Sequence, residues 1–140
     1  MPKLSDDERD AFLDTLRYGV LTMLREDGAP LGVPVWYDWD GDVVRMFAAS
    51  NTPKVARLTA NPKASLLVIN NLDEIERWVA FDGPVVIKTE GGMALAEKLA
   101  ARYWDLSQER EAKMLETWRE FASEIRLLEL VPERIRSYKD

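Results

Sequence analysis

Two Asp-Gly pairs, Asp27-Gly28 and Asp40-Gly41, constrain the fold of this chain more than any other feature. An Asp-Gly pair between two stretches of alternating residues is typical of a tight β-hairpin, because glycine readily adopts the positive φ that such turns require. The stretches before, between and after these pairs do alternate. We therefore predict an antiparallel meander of three strands, at residues 20–25, 31–39 and 43–48.

The rest of the chain predicts further helices and strands. A capping box at Ser5–Glu8 starts a helix that we expect to end near Arg17. Thr52 and Pro53 are a favoured N-cap and first residue for a short second helix, which Asn61-Pro62 ends. The remaining predicted strands are at residues 64–70, 74–89 and 125–131, and the remaining helices follow Gly91-Gly92 and occupy residues 108–122.

These elements predict a single α+β domain over residues 1–140, built on a small barrel of about six antiparallel strands with helices around it. The strand at 64–70 is almost entirely apolar, so we expect both of its faces to be buried. The strand at 74–89 contains Gly83-Pro84, which predicts a bulge or a sheet edge at that point.

The composition excludes several classes of function. The chain contains no Cys and no His, which excludes zinc sites with such ligands, Cys nucleophiles and Ser-His-Asp triads. A net charge of -6 predicts that neither nucleic acid nor an anionic membrane is the main partner. The start of the chain is polar and acidic, and no stretch approaches the ~18 apolar residues of a membrane span. We therefore expect a cytoplasmic protein.

The most informative stretch for function extends from Phe47 to Leu58, where a predicted strand ends and the Thr52-capped helix begins. The first amides of that helix lack intrahelical partners, and the helix dipole adds partial positive charge, so the helix start suits a phosphate group. The alternative is an ordinary helix start with solvated basic residues. The side chains expected to add hydrogen bonds or positive charge are Ser50, Asn51, Thr52, Lys54 and Arg57.

Aromatic residues of the second predicted strand form the other candidate site, in the run Val33-Pro34-Val35-Trp36-Tyr37. The proline removes one ladder hydrogen bond and favours an edge or a pocket. Trp36 and Tyr37 point to opposite faces, so one can pack in the core while the other borders a planar ligand; alternatively, both are packing residues. Of the other tryptophans, Trp78 can cover a dimer interface or a ring, whereas Trp104 and Trp118 are expected to pack between helices.

Together these stretches resemble the pyridoxamine 5'-phosphate oxidase-like superfamily of flavin-binding split barrels. The likeness extends over nearly the whole chain, and its most specific part is the frame of Thr52, Lys54, Leu58 and Pro62. The resemblance implies a six-stranded antiparallel split β-barrel with peripheral helices. It also implies a homodimer with two cofactor sites at the subunit interface.

The resemblance further implies roles for individual residues. Ser50, Asn51, Thr52 and Lys54 would contact the cofactor phosphate, residues Val33 to Trp36 would border the flavin ring, and Trp78 would approach from the partner chain. The chain departs from the family at Ala48 and Ala49, where threonine or tyrosine is common, and it has no arginine within residues 31–35 to help hold the phosphate. It also lacks a clear match to the C-terminal substrate motif of true pyridoxamine-phosphate oxidases, so vitamin B6 oxidation is not expected.

The function implied by the resemblance is that of an FMN-dependent oxidoreductase, which transfers a hydride to or from a small organic substrate. Because the cofactor supplies that chemistry, a chain without Cys or His is suited to it. Three alternatives stay open. These are a deazaflavin coenzyme in place of FMN, a non-catalytic flavin-binding or sensing module, and a structural dimer with a vacant pocket.

Overall fold

The computed structural model of the protein describes residues 2–140. It confirms the predicted α+β fold, with eight strands instead of six. No helix among these residues is long and apolar enough to cross a membrane. The elements in chain order are α1 (Asp6–Asp14), β1 (Gly19–Leu24), β2 (Pro30–Val35), β3 (Asp38–Trp39), β4 (Val44–Ala49), α2 (Pro53–Ala60), β5 (Lys63–Ile69), β6 (Arg77–Lys88), α3 (Gly92–Tyr103), α4 (Glu109–Glu120), a 3-10 turn (Ala122–Glu124), β7 (Ile125–Leu130) and β8 (Arg134–Lys139).

Both Asp-Gly turns form the predicted hairpins, with Gly28 at φ +84° and Gly41 at φ +95°. The second predicted strand is not continuous, however, because β2 pairs with β1 whereas β3 pairs with β4. The strands pair in the order β2-β1-β5-β6-β7-β4-β3, so β2 and β3 lie at opposite ends of one curved antiparallel sheet. Trp36 and Tyr37 connect these two strands, and the barrel is split where they lie.

Strand β6 belongs to both halves of the barrel because it changes partners after Pro84. Residues up to Pro84 pair with β5, whereas residues 85–88 pair with β7. The adjacent Gly83 permits a close approach, because a Cβ at this position would overlap the carbonyl oxygen of Val131. The predicted bulge or edge at Gly83-Pro84 is therefore a change of partner within one continuous strand.

Two further differences from prediction lie near the ends of the chain. Strand β8 pairs with β6 and was not predicted. Its residues are mostly polar or charged, so neither set of alternate residues forms an apolar face. Helix α1 ends at Asp14 instead of Arg17, because Thr15 is already extended. The side chain of Arg17 then turns back, and its Nε donates a hydrogen bond to the carbonyl oxygen of Phe12.

The inside of the barrel is filled by one apolar core, whose largest fully buried side chains include Tyr37 and Phe81. The hydroxyl of Tyr37 donates a hydrogen bond of 3.1 Å to the carbonyl oxygen of Leu13, so its burial leaves no polar atom unpaired. Helix α3 packs outside this barrel against β4 and β7, and α4 packs beside α3. The two helices place side chains over the outer surface of β4, where the candidate site lies.

The outer side of β5 is exposed in this chain, contrary to the expectation that both faces are buried. Leu67 and Ile69 are 37% and 50% exposed, while the alternate residues of β5 point into the core. Val20 on β1 pairs with Leu67, and Pro34 on β2 pairs in turn with Val20. We call this apolar surface, made of Val20, Pro34, Leu67 and Ile69, the outer sheet face.

Candidate functional site

Helix α2 begins as the sequence predicts, with Thr52 as its N-cap and Pro53 as its first residue. The hydroxyl of Thr52 accepts a hydrogen bond from the amide of Val55 at 3.4 Å and donates one to the carbonyl oxygen of Ala49 at 2.8 Å. This hydroxyl is therefore used within the protein, where it holds the turn between β4 and α2.

Lys54, in the first turn of α2, is half-buried, and its ammonium group forms no hydrogen bond or ion pair with another residue of the described chain. Burial lowers the pKa of the Lys54 ammonium group, and no neighbouring carboxylate opposes this shift. A partly desolvated cation without a counter-ion costs free energy, which an anionic ligand would offset. The start of the helix adds partial positive charge at the same place.

Lys54 opens onto a cavity of about 320 Å³ at the split of the barrel. The cavity brings together residues from both stretches that the sequence singles out. Pro34, Val35 and Trp36 form one wall, and Lys54 lies on another. Val33 is half-buried and packs against the core instead. The complete lining is Tyr18, Pro34, Val35, Trp36, Phe47, Lys54, Trp104 and Trp118.

The walls of this cavity are mainly aromatic, with Trp36 at the centre of the cluster. The Trp36 ring stacks on Tyr103, with centroids 5.0 Å apart and an interplanar angle of 5°. It meets Trp104 edge-on at 4.9 Å and Phe47 at 6.1 Å. Its neighbour Tyr37 is in the core, so the two adjacent aromatics do take opposite environments. Contact between Trp36 and a flavin ring stays a prediction.

Trp104 and Trp118 have a place that the sequence analysis missed, because both line the cavity. Trp104 is the C-cap of α3, and its backbone is already extended. Its position just after the last residue of the helical pattern is the sequence signal that could have indicated a place outside the helix packing. Trp118 lies within α4, and its ring is tilted by 32° against that of Trp104, with ring centroids 5.1 Å apart.

Ser50 and Asn51 line a second cavity, of about 520 Å³, on the far side of Phe47 and Trp118. The hydroxyl of Ser50 donates a hydrogen bond of 2.6 Å to the carboxylate of Glu124, and its amide donates one of 2.8 Å to the Glu124 carbonyl oxygen. No sequence pattern marks Glu124, since only the folded chain brings the turn before β7 next to the end of β4. The predicted contacts of Ser50, Asn51 and Thr52 with a phosphate stay predictions.

Arg57 and Trp78 lie away from the Lys54 cavity within this chain. Arg57 borders a separate cavity beside Arg25. Trp78 lies near the start of β6, where it stacks on Tyr138 of β8 with centroids 6.4 Å apart. It pairs in register with Ile69 and so is next to the outer sheet face. Its approach to a cofactor from a partner chain stays a prediction.

Among curated proteins, no sequence matches the chain. A solved F420 reductase is 25% identical, with a TM-score of 0.71 over 90% of this chain and 94% of that one. A conserved hypothetical protein from Mycobacterium tuberculosis is 23% identical, with a TM-score of 0.73 over 97% of this chain and 85% of that one. An FAD-binding protein from Mesorhizobium loti is 21% identical, with a TM-score of 0.64 over 97% of this chain and 93% of that one.

The two likenesses below 25% identity support the fold alone, and the F420 reductase is similar in sequence as well as in fold. The family model of pyridoxamine 5'-phosphate oxidase matches residues 5–138. Because this match extends over almost the whole chain, the protein belongs to the pyridoxamine 5'-phosphate oxidase family.

Proposed function

We propose that this protein is an oxidoreductase that binds a flavin or deazaflavin cofactor in the aromatic cavity, with the cofactor phosphate at Lys54. The observation that supports this most directly is the half-buried Lys54 ammonium, which has no partner within residues 2–140 and lies at the start of α2. A phosphate is the anion that a helix start and a lysine together favour.

The residues present fit such a cofactor. The cavity volume of about 320 Å³ is at the lower end of the ~300–1,000 Å³ usual for ligand pockets, and Lys54 in its lining gives the cofactor phosphate a place beside the ring system. Trp36, Trp104 and Trp118 offer flat apolar surfaces for ring contact. The same side chains would exclude water from the ring, while Lys54 would neutralise the phosphate. The bound cofactor would supply hydride transfer, which requires neither Cys nor His.

Two cofactors satisfy this description, FMN and a deazaflavin coenzyme. FMN is the usual cofactor implied by the family resemblance. The deazaflavin is supported by a specific observation, the 25% identity to an F420 reductase over 90% of this chain. Both carry a phosphate near a ribityl chain, so the geometry at Lys54 suits either of them.

We also propose a homodimer, packed through the outer sheet face. Pro34 belongs to that face and also lines the cavity, so a second copy seated there would border the cavity as well. Tyr18, another cavity residue, is 62% exposed close to Ile69. The exposed Leu67 and Ile69 would then be buried against apolar groups, as β5 was expected to be. A small organic substrate and a cytoplasmic location complete the proposal.

The test is a titration of the purified protein with FMN and with the deazaflavin coenzyme, followed by fluorescence quenching. Saturable binding of one of them, near one per subunit, is expected. Lys54→Ala should weaken it about 10- to 100-fold, because a hydrogen bond to a charged group contributes about 1.5–3 kcal/mol. The matched control is Lys63→Ala, which removes an exposed lysine at the start of β5. Equal affinity in the two variants would overturn the assignment of the phosphate to Lys54.

A second measurement separates an enzyme from a binding module. If the bound cofactor is reduced by a nicotinamide or oxidised by a small organic acceptor, the oxidoreductase stands. If it binds tightly but exchanges no electrons with either class of reagent, the protein is a flavin-binding or sensing module. Binding of neither cofactor would overturn the proposed function and leave the fold as it is.

A further inference from the structure

The second cavity, of about 520 Å³, lies between the end of β4, helix α4 and the 3-10 turn before β7. Most of its lining is apolar and three of the side chains are aromatic. It is larger than the Lys54 cavity, and a cofactor phosphate placed at Lys54 leaves it free. Assigning it to another ligand is an alternative to the phosphate contacts that the family resemblance implies for Ser50 and Asn51. The lining residues are Phe47, Ala49, Ser50, Asn51, Trp118, Phe121, Glu124 and Ile125.

Glu124 is the one ionisable side chain in this lining. One carboxylate oxygen, Oε2, accepts the hydrogen bond from the Ser50 hydroxyl at 2.6 Å. The nearest cation, the Arg126 guanidinium, is 3.8 Å from the same oxygen, which is too far for a hydrogen bond. The other oxygen, Oε1, has no hydrogen-bond partner within residues 2–140, and the side chain is 58% exposed. It is therefore an acceptor that a ligand can reach.

The two cavities are neighbours with opposite charges. Phe47 and Trp118 line both of them, so a ligand in the second cavity would lie next to one in the first. Lys54 gives the first cavity a positive group, whereas Glu124 gives the second a negative one. A phosphate favoured at Lys54 is disfavoured at Glu124, because like charges repel. This charge separation assigns different ligands to the two cavities.

We propose that the second cavity binds the organic substrate, and that Glu124 selects planar apolar molecules with a cationic or hydrogen-bond-donating group. Aromatic side chains beside a carboxylate are suited to organic cations, because the ring faces attract positive charge and the carboxylate pairs with it. Phe47 and Trp118 lie at the shared wall, and the 57% exposed Phe121 lies at the opening. That the ligand is the substrate rests on the proposed function, whereas its binding does not require a cofactor.

The experiment measures the binding of three matched probes to the cofactor-free protein by calorimetry at pH 7. The probes are 2-naphthylmethylamine, which is cationic at this pH, 2-naphthylmethanol, which is neutral, and 2-naphthoate, which is anionic. We expect the cation to bind about tenfold more tightly than the alcohol, and the anion to bind most weakly. Glu124→Gln should bring the cation to within about threefold of the alcohol. The backbone hydrogen bond from Ser50 stays available in this variant.

Two further variants control for charge and for shape. Glu120→Gln removes an exposed carboxylate at the end of α4, outside the cavity, and should leave the order of the probes unchanged. Phe121→Ala should weaken the cation and the alcohol by similar factors, since it removes apolar surface and no charge. Circular dichroism checks that each variant is folded.

Several outcomes would overturn the proposal. These are the absence of probe binding at millimolar concentration, equal binding of all three probes, and a preference for the cation that survives Glu124→Gln. If the cofactor binds and the probes do not, this inference fails while the proposed function stands. If the cation binds as expected and neither cofactor binds, the cavity is an organic-cation site and its assignment to a substrate is overturned.

Discussion

The buried guanidinium of Arg17 forms two hydrogen bonds with the carboxylate of Glu74, and this ion pair joins the end of α1 to the loop between β5 and β6. The bond from Nη2 to Oε2 is 2.7 Å long. The guanidinium carbon also lies 4.0 Å from the centroid of the Phe12 ring, and Nε donates to the Phe12 carbonyl oxygen at 3.0 Å. One side chain thus holds a helix end, an aromatic ring and a loop together.

Replacing Arg17 should therefore destabilise the fold strongly. We expect Arg17→Ala to lower the free energy of unfolding by about 3 kcal/mol, because removing one partner of a buried pair leaves the other polar groups unpaired. The control is Arg25→Ala, which removes an exposed pair with Asp27 and should cost less than about 1 kcal/mol. Urea unfolding of both variants gives the comparison. Similar losses would show that the Arg17 contacts contribute little.

The same ion pair predicts how stability depends on pH. The Arg17 guanidinium, with the backbone amide of Asn71, lowers the pKa of Glu74 from 4.5 to about 2. Because the folded pKa is below that of the unfolded chain, the stabilisation is complete above pH 4.5 and is lost as the pH falls towards 2. Glu74→Gln should be less stable than the wild type at pH 7, and the difference between them should shrink across this window.

Glu76→Gln is the matched control for that series, because the Glu76 side chain is exposed and has no ion pair in the described chain. Other carboxylates contribute to acid unfolding, among them Glu8, whose pKa the Ser5 amide and Lys139 also lower to about 2. The prediction therefore concerns the difference between each variant and the wild type. A difference for Glu74→Gln that stays constant from pH 5 to pH 2 would contradict it.

Local signals predicted the elements that local chemistry determines. The Ser5 capping box, the Asp-Gly hairpins and the Thr52-Pro53 helix start are each decided by a few adjacent residues, and each is present in the structure. Strand β8 depends instead on pairing with β6, more than fifty residues earlier in the chain, and its own residues show no apolar face. Periodicity therefore had no means of detecting it.

For the candidate site too, the sequence predicted the parts that are continuous motifs and not the parts that folding brings together. The helix start and the Pro34–Trp36 segment were visible because each is a continuous motif, and their meeting at one cavity follows from the split of the barrel. Glu124 and Trp118 reach the site only because α3 and α4 fold back over β4. Side chains that reach the site from distant segments of the chain are not marked by any pattern of neighbouring residues.

The close approach at Gly83 gives a second stability prediction. A methyl group at this position would overlap the carbonyl oxygen of Val131, and backbone on both sides prevents relaxation. We expect Gly83→Ala to destabilise by about 3 kcal/mol or more, or to prevent folding. Gly32→Ala is the control, because its Cβ would meet side chains and no backbone, with Val20 at 3.3 Å and Thr22 at 3.6 Å. Thermal unfolding that is alike in the two variants would refute the prediction.

The outer sheet face gives a prediction about assembly. If two copies pack through it, the wild type should have a solution mass of twice the 16.0 kDa of the chain. Ile69→Lys should then shift the protein towards the monomer, because a lysine ammonium would be buried against apolar groups. Val86→Lys introduces the same charge on β6, at a residue that is 45% exposed and outside the outer sheet face, and this variant should stay dimeric. Light scattering after size-exclusion chromatography measures both masses, and a dimer in both variants would exclude this face.

The lowered pKa of Lys54 predicts how cofactor binding depends on pH. The protonated ammonium is the form that pairs with a phosphate, and burial lowers its pKa below the ordinary 10.5. The affinity for the cofactor should therefore fall as the pH rises, and this fall should begin below pH 10.5. Lys54→Arg should keep most of the affinity at pH 7 and show no such fall, because the guanidinium stays charged throughout this range. Tyr18→Phe is the control, because it changes another polar group of the cavity lining and leaves the charge of Lys54 in place. A fall in affinity that persists unchanged in Lys54→Arg would contradict this prediction.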